Sequence, residues 1–379
     1  MNQIYFKQPE TMEKTPAECG EEGNKEIKVN NSEVNKFNGK NALKDKSNIE
    51  NYIKIFNPTI LEQFEMIKYC GSGSESVAYL GKFNAKNKEK EFTKSVLMKF
   101  IFHKKREKEL KKEIDISNKL KNINVIGFNA FLPLKKEESS LIIMDYAKLG
   151  NLRVFQSQII QKDILSESTI CFIAYQILKG LEYCHKCKIA HMDIKPQNIV
   201  VDEYLNMKII DFSISIDYRK KQNIKIPVMG TKFYMSLEVL NSAKVKSKDL
   251  NKVDLYSLGV ILYNFAFGCF PYDLQKGDEG DNNIIRKKIE SNELEFKKEF
   301  NFSKYFLDFL KKLLEKDINK RINIIEALNH YWIKGADLLY EEKNNTCNTA
   351  SFLKYLLEDN FIKFNRYISL QTSKRSFYY

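Results

Sequence analysis

No run of apolar residues in this 379-residue chain is long enough to span a bilayer, and no signal peptide opens it. Asn2, rather than the glycine that N-myristoylation requires, follows Met1. These absences argue against membrane-spanning, secreted and myristoylated classes. The expectation is an intracellular, cytoplasmic protein, with the nucleus left open. A disulfide framework is missing too: seven cysteines, Cys19, Cys70, Cys171, Cys184, Cys187, Cys269 and Cys347, are odd in number and scattered, as in a reducing compartment. Cys184-His185-Lys186-Cys187 has the look of half a zinc site, but no second pair follows and the segment closes an apolar helix, so a structural role is preferred. Acid is in deficit: 62 Lys+Arg against 49 Asp+Glu leave a formal net charge of +13. Such an excess admits nucleic-acid, membrane or acidic-protein partners. Here lysine is spread along the whole chain with asparagine and isoleucine, the pattern of solvated faces rather than of one binding stripe, and no nucleic-acid motif accompanies it.

Hydrophobic residues at 43% support a globular protein, and the length allows two lobes or domains of roughly 100–200 residues each. Residues 1–58 are rich in Asn, Lys and Glu with no sustained period, and read as a flexible extension unable to bury enough surface to fold alone. Beyond residue 335, apolar positions at Phe352, Leu353, Leu356, Leu357, Phe361 and Phe364 predict one more helix, able to pack on the protein or bind a partner, and residues 374–379 read as a frayed end.

The informative stretch is His191 to Ser213, HMDIKPQNIVVDEYLNMKIIDFS. Two apolar runs, Ile199-Val200-Val201 and Met207-Lys208-Ile209-Ile210, read as strands of a hairpin. Such a hairpin brings Asp193 and Asn198, before its first strand, and Asp211, just after its second, to one end. Three oxygen-bearing side chains suit a hard divalent cation, and magnesium carrying a nucleotide phosphate is the commonest occupant. Upstream, Cys70-Gly71-Ser72-Gly73-Ser74-Glu75-Ser76-Val77-Ala78 reads as strand, glycine turn, strand, in which glycines let backbone approach phosphates closely. Val96-Leu97-Met98-Lys99-Phe100-Ile101 reads as a buried strand with one lysine inside it, and a buried ammonium needs an anion and a partner.

Together these motifs resemble the eukaryotic protein kinase superfamily. His191-Met192-Asp193-Ile194-Lys195-Pro196-Gln197-Asn198 and Asp211-Phe212-Ser213 align with its H-R-D-x-K-x-x-N and D-F-G signatures. The resemblance covers roughly Leu61 to Ile333. It implies an α+β bilobal fold spanning residues 59–335, with a small β-rich N-lobe (59–145) carrying one helix and a larger, mainly helical C-lobe (148–335). It implies Mg2+ and ATP as cofactors, with Asn198 and Asp211 on the metal. Asp193 would orient and deprotonate a substrate hydroxyl, and Lys195 would neutralise the transferring phosphoryl group. Lys99 would hold the α/β-phosphates, paired with Glu113 of the helix 103–120, Glu109 being the fallback. The nucleotide would be lined by Gly71, Ser72, Gly73, Ser74, Ser76, Ala78, Leu97, Lys99, Met144, Asp145, Tyr146, Ala147 and Val200, with 144–147 as the hinge between lobes and Met144 guarding the pocket behind. Lys195 in Asp-x-Lys-Pro-x-Asn, and Thr231, resemble the serine/threonine branch. Glu238 would pair with Arg321, and Asp254 would bond back to the catalytic-loop backbone.

The departures carry their own implications. Ser76 replaces a glycine and Ala78 a valine, while Leu97 stands where alanine is usual, so volume over the adenine is exchanged rather than lost. Ser117 replaces an apolar residue that couples the helix to the metal loop. Met192 replaces the arginine that clamps a phosphorylated activation loop, and no serine or threonine lies between Ile216 and Gly230, which implies activity without activation-loop phosphorylation. Gln197 and Asn264 are uncharged where arginine-directed kinases carry glutamates; with Arg219, Lys220, Lys221, Lys225 and Lys232 they imply a protein substrate neutral or acidic around its acceptor. A monomer is expected. The competing class is a pseudokinase scaffold that binds nucleotide and partners without efficient catalysis, resting on Ser76, Met192, Ser213 and Ser236-Leu237. None of these carries the charge chemistry, which favours the enzyme.

Overall fold

The computed structural model describes residues 64–72, 76–87, 90–102, 107–134, 139–161, 164–219, 222–297, 299–336 and 339. The expected extension 1–58, the helix over 352–367, Gly73 and Ser74 lie outside the described residues. The described chain divides into two compact units, one running to Lys108 and including Gly127–Tyr146, the other comprising Glu109–Ile126 and the chain from Ala147 onward.

The first unit is a five-stranded antiparallel sheet in the order β1-β2-β3-β5-β4, from β1 (Phe64–Ser72), β2 (Ser76–Asn87), β3 (Lys90–Phe102), β4 (Phe128–Leu134) and β5 (Ser139–Asp145). Period-2 alternation decides its faces. Val77, Tyr79, Val96, Met98, Phe100, Leu141 and Ile143 are buried, whereas Ala78, Leu97, Lys99 and Met144 are half-buried; Ile142, opposite Lys99, is buried as well. The strand around Lys99 is therefore alternating rather than buried on both faces, and its ammonium stem starts from the more open side. Long β2 and β3 pair from Ser76↔Ile101 to Asn87↔Lys90.

The second unit is mainly helical. Most of α1 (Glu107–Lys119) belongs to it, because Ile116 and Leu120, on one helical stripe, join its core together with Val125. Its centre is α2 (Glu167–Lys186), capped by the Ser166 side chain accepting from Thr169 N, with Ile170, Ile173, Ala174, Ile177, Leu178 and Leu181 fully buried. Each of the isoleucine and leucine side chains contributes roughly 1.5–3 kcal/mol of burial. α2 delivers the chain to β6 (Ile189–Ala190) and then to the hairpin of β7 (Ile199–Val201) and β8 (Met207–Ile209). Short β9 (Ile216–Asp217) pairs with β6, and β10 (Asn223–Lys225) pairs with β11 (Lys244–Lys246). Further helices include α3 (Lys252–Phe267), buried along its length, α4 (Asn282–Ser291), α5 (Lys304–Leu313), α6 (Ile324–Leu328) and α7 (Tyr331–Lys334). Trp332 stacks on Phe306 with centroids 4.7 Å apart and donates from Nε1 to Glu167 Oε1 at 3.0 Å, so the polar atom of this large buried aromatic is satisfied. No helix among the described residues is long and apolar enough to cross a membrane.

Candidate active site

The hairpin forms as the sequence predicts, with Ile199↔Ile209, Val200↔Lys208 and Val201↔Met207 in register. It is clasped on both sides: Ile209 N donates to Asn124 O (2.9 Å) and Ile126 N to Ile209 O (3.0 Å), while Val201 N donates to Gly150 O (2.8 Å). One residue beyond the strands, Ile210 N donates to Asn198 O at 2.9 Å, which places Asn198 and Asp211 at the same end of the ladder.

Asp193 sits where that end meets the loop carrying Thr231. Its Oδ1 accepts from Thr231 N and from Thr231 Oγ1, each at 2.8 Å. Its Oδ2 accepts from Lys195 Nζ at 2.6 Å and from Asn198 Nδ2 at 3.0 Å. Lys195 also donates to Thr231 Oγ1 at 2.7 Å. Both carboxylate oxygens are thus oriented by charge-assisted bonds. Gly230 makes the approach of Thr231 possible: its φ of +113 excludes most side chains, and an added Cβ would stand 2.9 Å from Met192 O. Asn198 commits its amide nitrogen to the carbonyl and carboxylate of Asp193, so its carbonyl oxygen is what it can offer a cation. An amide oxygen and the Asp211 carboxylate are the hard donors that magnesium takes, and the residues fit that ion. Among the described residues no group of three or more His, Cys, Asp or Glu could hold a metal ion.

The loop behind Asp193 is held by Asp254 at the start of α3. Its carboxylate accepts from His191 N (2.9 Å), Met192 N (2.8 Å) and His185 Nε2 (2.8 Å). Burial works to raise the Asp254 carboxyl, but the His185 hydrogen bond and the neighbouring histidines hold it below the usual carboxylate range. His191 Nε2 donates to Ile210 O at 2.8 Å, so its Nδ1 is left to accept from Asp193 N at 3.2 Å. Met192 (φ +73) and Asp211 (φ +68) adopt left-handed backbone, a strain that concentrates at functional loops. Ser213 does not, so a side chain there is accommodated without the strain that would demand glycine. Glu238 and Arg321 form the expected pair, Nη1 to Oε1 at 2.6 Å and Nη2 to Oε2 at 3.2 Å, with the arginine side chain wholly buried.

In the sheet unit, register gathers several of the expected nucleotide residues on one face. Gly71 pairs with Ala78, Ala78 with Lys99, and Leu97 with Met144, so Ala78, Leu97, Lys99 and Met144 share the half-buried side. Ser72 and Ser76 flank the turn as the last and first residues of β1 and β2. The Asp145 side chain is engaged by Lys94 Nζ (2.5 Å) and Asn129 Nδ2 (3.1 Å), and its backbone N donates to Gly127 O at 2.9 Å. Glu113 lies on α1 and Val200 on β7, both in the helical unit. Thr231's two bonds to Asp193 and the Lys112 bond described below were not legible in sequence: their partners lie 38 and 103 residues away, and no local signal announces them.

The sequence profile of the protein kinase domain matches residues 64–333. The chain belongs to the protein kinase superfamily. Myosin light chain kinase A of Dictyostelium discoideum is 30% identical over 300 residues, covering 78% of this chain and 94% of that protein. Calcium-dependent protein kinase 4 of Plasmodium berghei (strain Anka) is 30% identical over 329 residues, 83% of this chain and 58% of its own length. The probable serine/threonine-protein kinase fhkA of Dictyostelium discoideum is 30% identical over 302 residues, 72% of this chain and 50% of its own length. This kinase domain therefore spans nearly all of one relative and about half of the other two. Members of the family use ATP and magnesium and act on proteins, and the α+β architecture expected from the sequence is the one observed.

Proposed function

We propose that this chain is a protein serine/threonine kinase, transferring the γ-phosphoryl group of Mg-ATP to a protein hydroxyl. The observation that carries the reading is the Asp193 carboxylate, held at both oxygens by Thr231, Lys195 and Asn198. Phosphoryl transfer is catalysed by positioning and electrostatics, so a carboxylate oriented by four donors beside a lysine is the arrangement the reaction requires. In this assignment Asp193 orients the incoming hydroxyl and takes its proton, and Lys195 offsets negative charge on the group in flight. Thr231 and Asn198 prevent rotation of the carboxylate. Asn198 and Asp211 would hold magnesium, which supplies charge neutralisation at the phosphates. From the sheet unit, Lys99 is assigned to the α/β-phosphates, Gly71, Ser72, Gly73, Ser74 and Ser76 to the phosphate turn, and Ala78, Leu97 and Met144 to the adenine. The hinge backbone of Asp145, Tyr146 and Ala147, and Val200, complete that set, with Glu113 taking the family's helix-glutamate role. Residues 59–335 are assigned to the kinase domain.

The test is transfer of labelled phosphate from Mg-ATP to a generic protein substrate by wild type beside Asp193→Asn. Transfer by wild type alone supports the reading. No transfer by either, with a thermal shift on Mg-ATP retained, would replace it with a nucleotide-binding scaffold.

Independence of activation-loop phosphorylation belongs to the same proposal, and the packing of residues 213–231 supports it. β9 is stitched to β6, and β10 to β11, with Ser247 N donating to Gln222 O (2.9 Å), Ile226 N to Ala243 O (3.0 Å) and Ser242 Oγ to Ile226 O (2.8 Å). Met192 is buried where a clamping arginine would stand. Of the three acceptors in this segment, Tyr218, whose phenol burial pushes up, donates its hydroxyl to His185 O and Ser215 donates to Phe212 O, so these two are turned inward, while Ser213 is exposed. Phosphatase treatment is expected to leave the transfer rate unchanged; a loss traced to a residue between 213 and 229 would refute this. The substrate is proposed to be neutral or acidic around its acceptor, since Gln197 and Asn264 carry no charge beside a lysine-rich loop. On a peptide array neutral and acidic sequences should lead, and a preference for arginine-rich ones would overturn it.

A further inference from the structure

We propose that Lys112 is a positioning residue for the transfer reaction, tying α1, and with it Glu113, to the turn that follows Asp211; this rests on the kinase reading above. Lys112 Nζ donates to Ser215 O at 2.6 Å across 103 residues of sequence. The acceptor is not a loose carbonyl. Ser215 is fully buried, and both its backbone N (3.2 Å) and its Oγ (2.6 Å) donate to Phe212 O, closing the turn 212–215. Phe212 is itself buried and packs edge-on to His191, 5.0 Å between centroids, and His191 Nε2 returns to Ile210 O. The bond from Lys112 therefore ends on a closed turn directly continuous with Asp211.

On the helix, Lys112 precedes Glu113 by one residue, so whatever fixes one fixes the azimuth of the other. Apolar packing adds to this anchorage. Ile114, Ile116 and Leu120 are buried along a stripe, and Lys121 N donates to Tyr183 OH at 3.1 Å past the helix end. An apolar stripe resists lifting of a helix more than it resists rolling, because dispersion contacts carry little angular preference. Ser117, small and polar, offers no bulky side chain to wedge the helix against the metal turn. The ammonium–carbonyl bond adds direction to that packing, and a charged donor makes it stronger than a neutral hydrogen bond. The looser coupling that Ser117 implies is thus offset from a position one turn and a half earlier on the helix.

The experiment compares full-length wild type, Lys112→Met and Lys112→Arg by hydrogen exchange of residues 110–119 and 212–215, by kcat and protein-substrate KM with Mg-ATP, and by melting temperature. Lys112→Met is expected to exchange faster in both segments and to lose about 3- to 10-fold in kcat, the range of coupling through such contacts. KM should stay unchanged, melting should stay close to wild type, and Lys112→Arg should restore both exchange and kcat. Unchanged exchange and kcat in Lys112→Met would overturn the tie. So would a kcat loss that tracks a fall in melting temperature and is not rescued by arginine, which marks a structural role only. A wild type that transfers no phosphate would count against the kinase reading instead, and the exchange comparison would still decide whether Lys112 holds the helix.

Discussion

Replacing Asp193 with asparagine is expected to lower kcat by about 10²- to 10⁴-fold, the usual contribution of a positioned proton acceptor. The substitution preserves shape but not chemistry. In the native loop Oδ1 faces Thr231 N and Oγ1, and Oδ2 faces Lys195 Nζ and Asn198 Nδ2, so both ends of the carboxylate meet donors. An amide must turn its NH2 toward one of these pairs. Facing Lys195 and Asn198 it sets donor against donor; facing Thr231 it meets a backbone N–H that cannot reverse. Either rotamer therefore loses the proton acceptor and strains the contacts that aim it. A folding loss of about 1–3 kcal/mol is expected from the groups left unpaired. Mg-ATP affinity should change little, because Asp193 is not among the residues assigned to nucleotide or metal. The check is single-turnover phosphate transfer beside a thermal shift with and without Mg-ATP. Activity within tenfold of wild type would remove Asp193 from its assigned role.

The largest stability effect is expected at Arg321. Its guanidinium is fully buried, paired with Glu238 through both terminal nitrogens, and donates further to the carbonyls of Glu315 (2.8 Å), Lys252 (3.1 Å) and Lys316 (3.4 Å). It also lies over the Tyr256 ring at 4.9 Å. Arg321→Met removes every one of these partners and leaves a buried carboxylate alone, a change of about 3–5 kcal/mol. At about 2–4 °C per kcal/mol for a domain of this size, melting should fall by roughly 6–20 °C. The double variant Glu238→Leu/Arg321→Met should recover part of that loss, since it no longer strands a charge, and the cycle separates the pair from the carbonyl contacts. Scanning calorimetry of the four proteins decides it. A single variant melting within 2 °C of wild type would show that the buried pair carries little of the fold's stability.

Much of the site could be read from local pattern. The apolar runs at 199–201 and 207–210 are bounded by turn residues, and a hairpin follows from period and spacing alone, which is enough to bring Asp193, Asn198 and Asp211 to one end. The alternation in Val96–Ile101 likewise contains the face on which Lys99 stands, although it first reads as a continuous buried run, because Leu97 is as apolar as its inward neighbours. Composition cannot tell a half-open face from a closed one when both carry large side chains. The same limit applies to Ser213: whether serine can replace glycine depends on a φ that the chain adopts only in context.

By itself the sequence determined the hairpin that carries the acids, because it depends on periodicity and on spacings of a few residues, while the α+β class and the charged groups assigned to the site came through the resemblance of its motifs to the protein kinases. Only the tertiary structure decided how Asp193 is aimed and where α1 is tied. Thr231 reaches Asp193 across 38 residues and Lys112 reaches Ser215 across 103. Such bonds exist only once packing has brought a donor and an acceptor to within about 3 Å, a distance that no local pattern encodes.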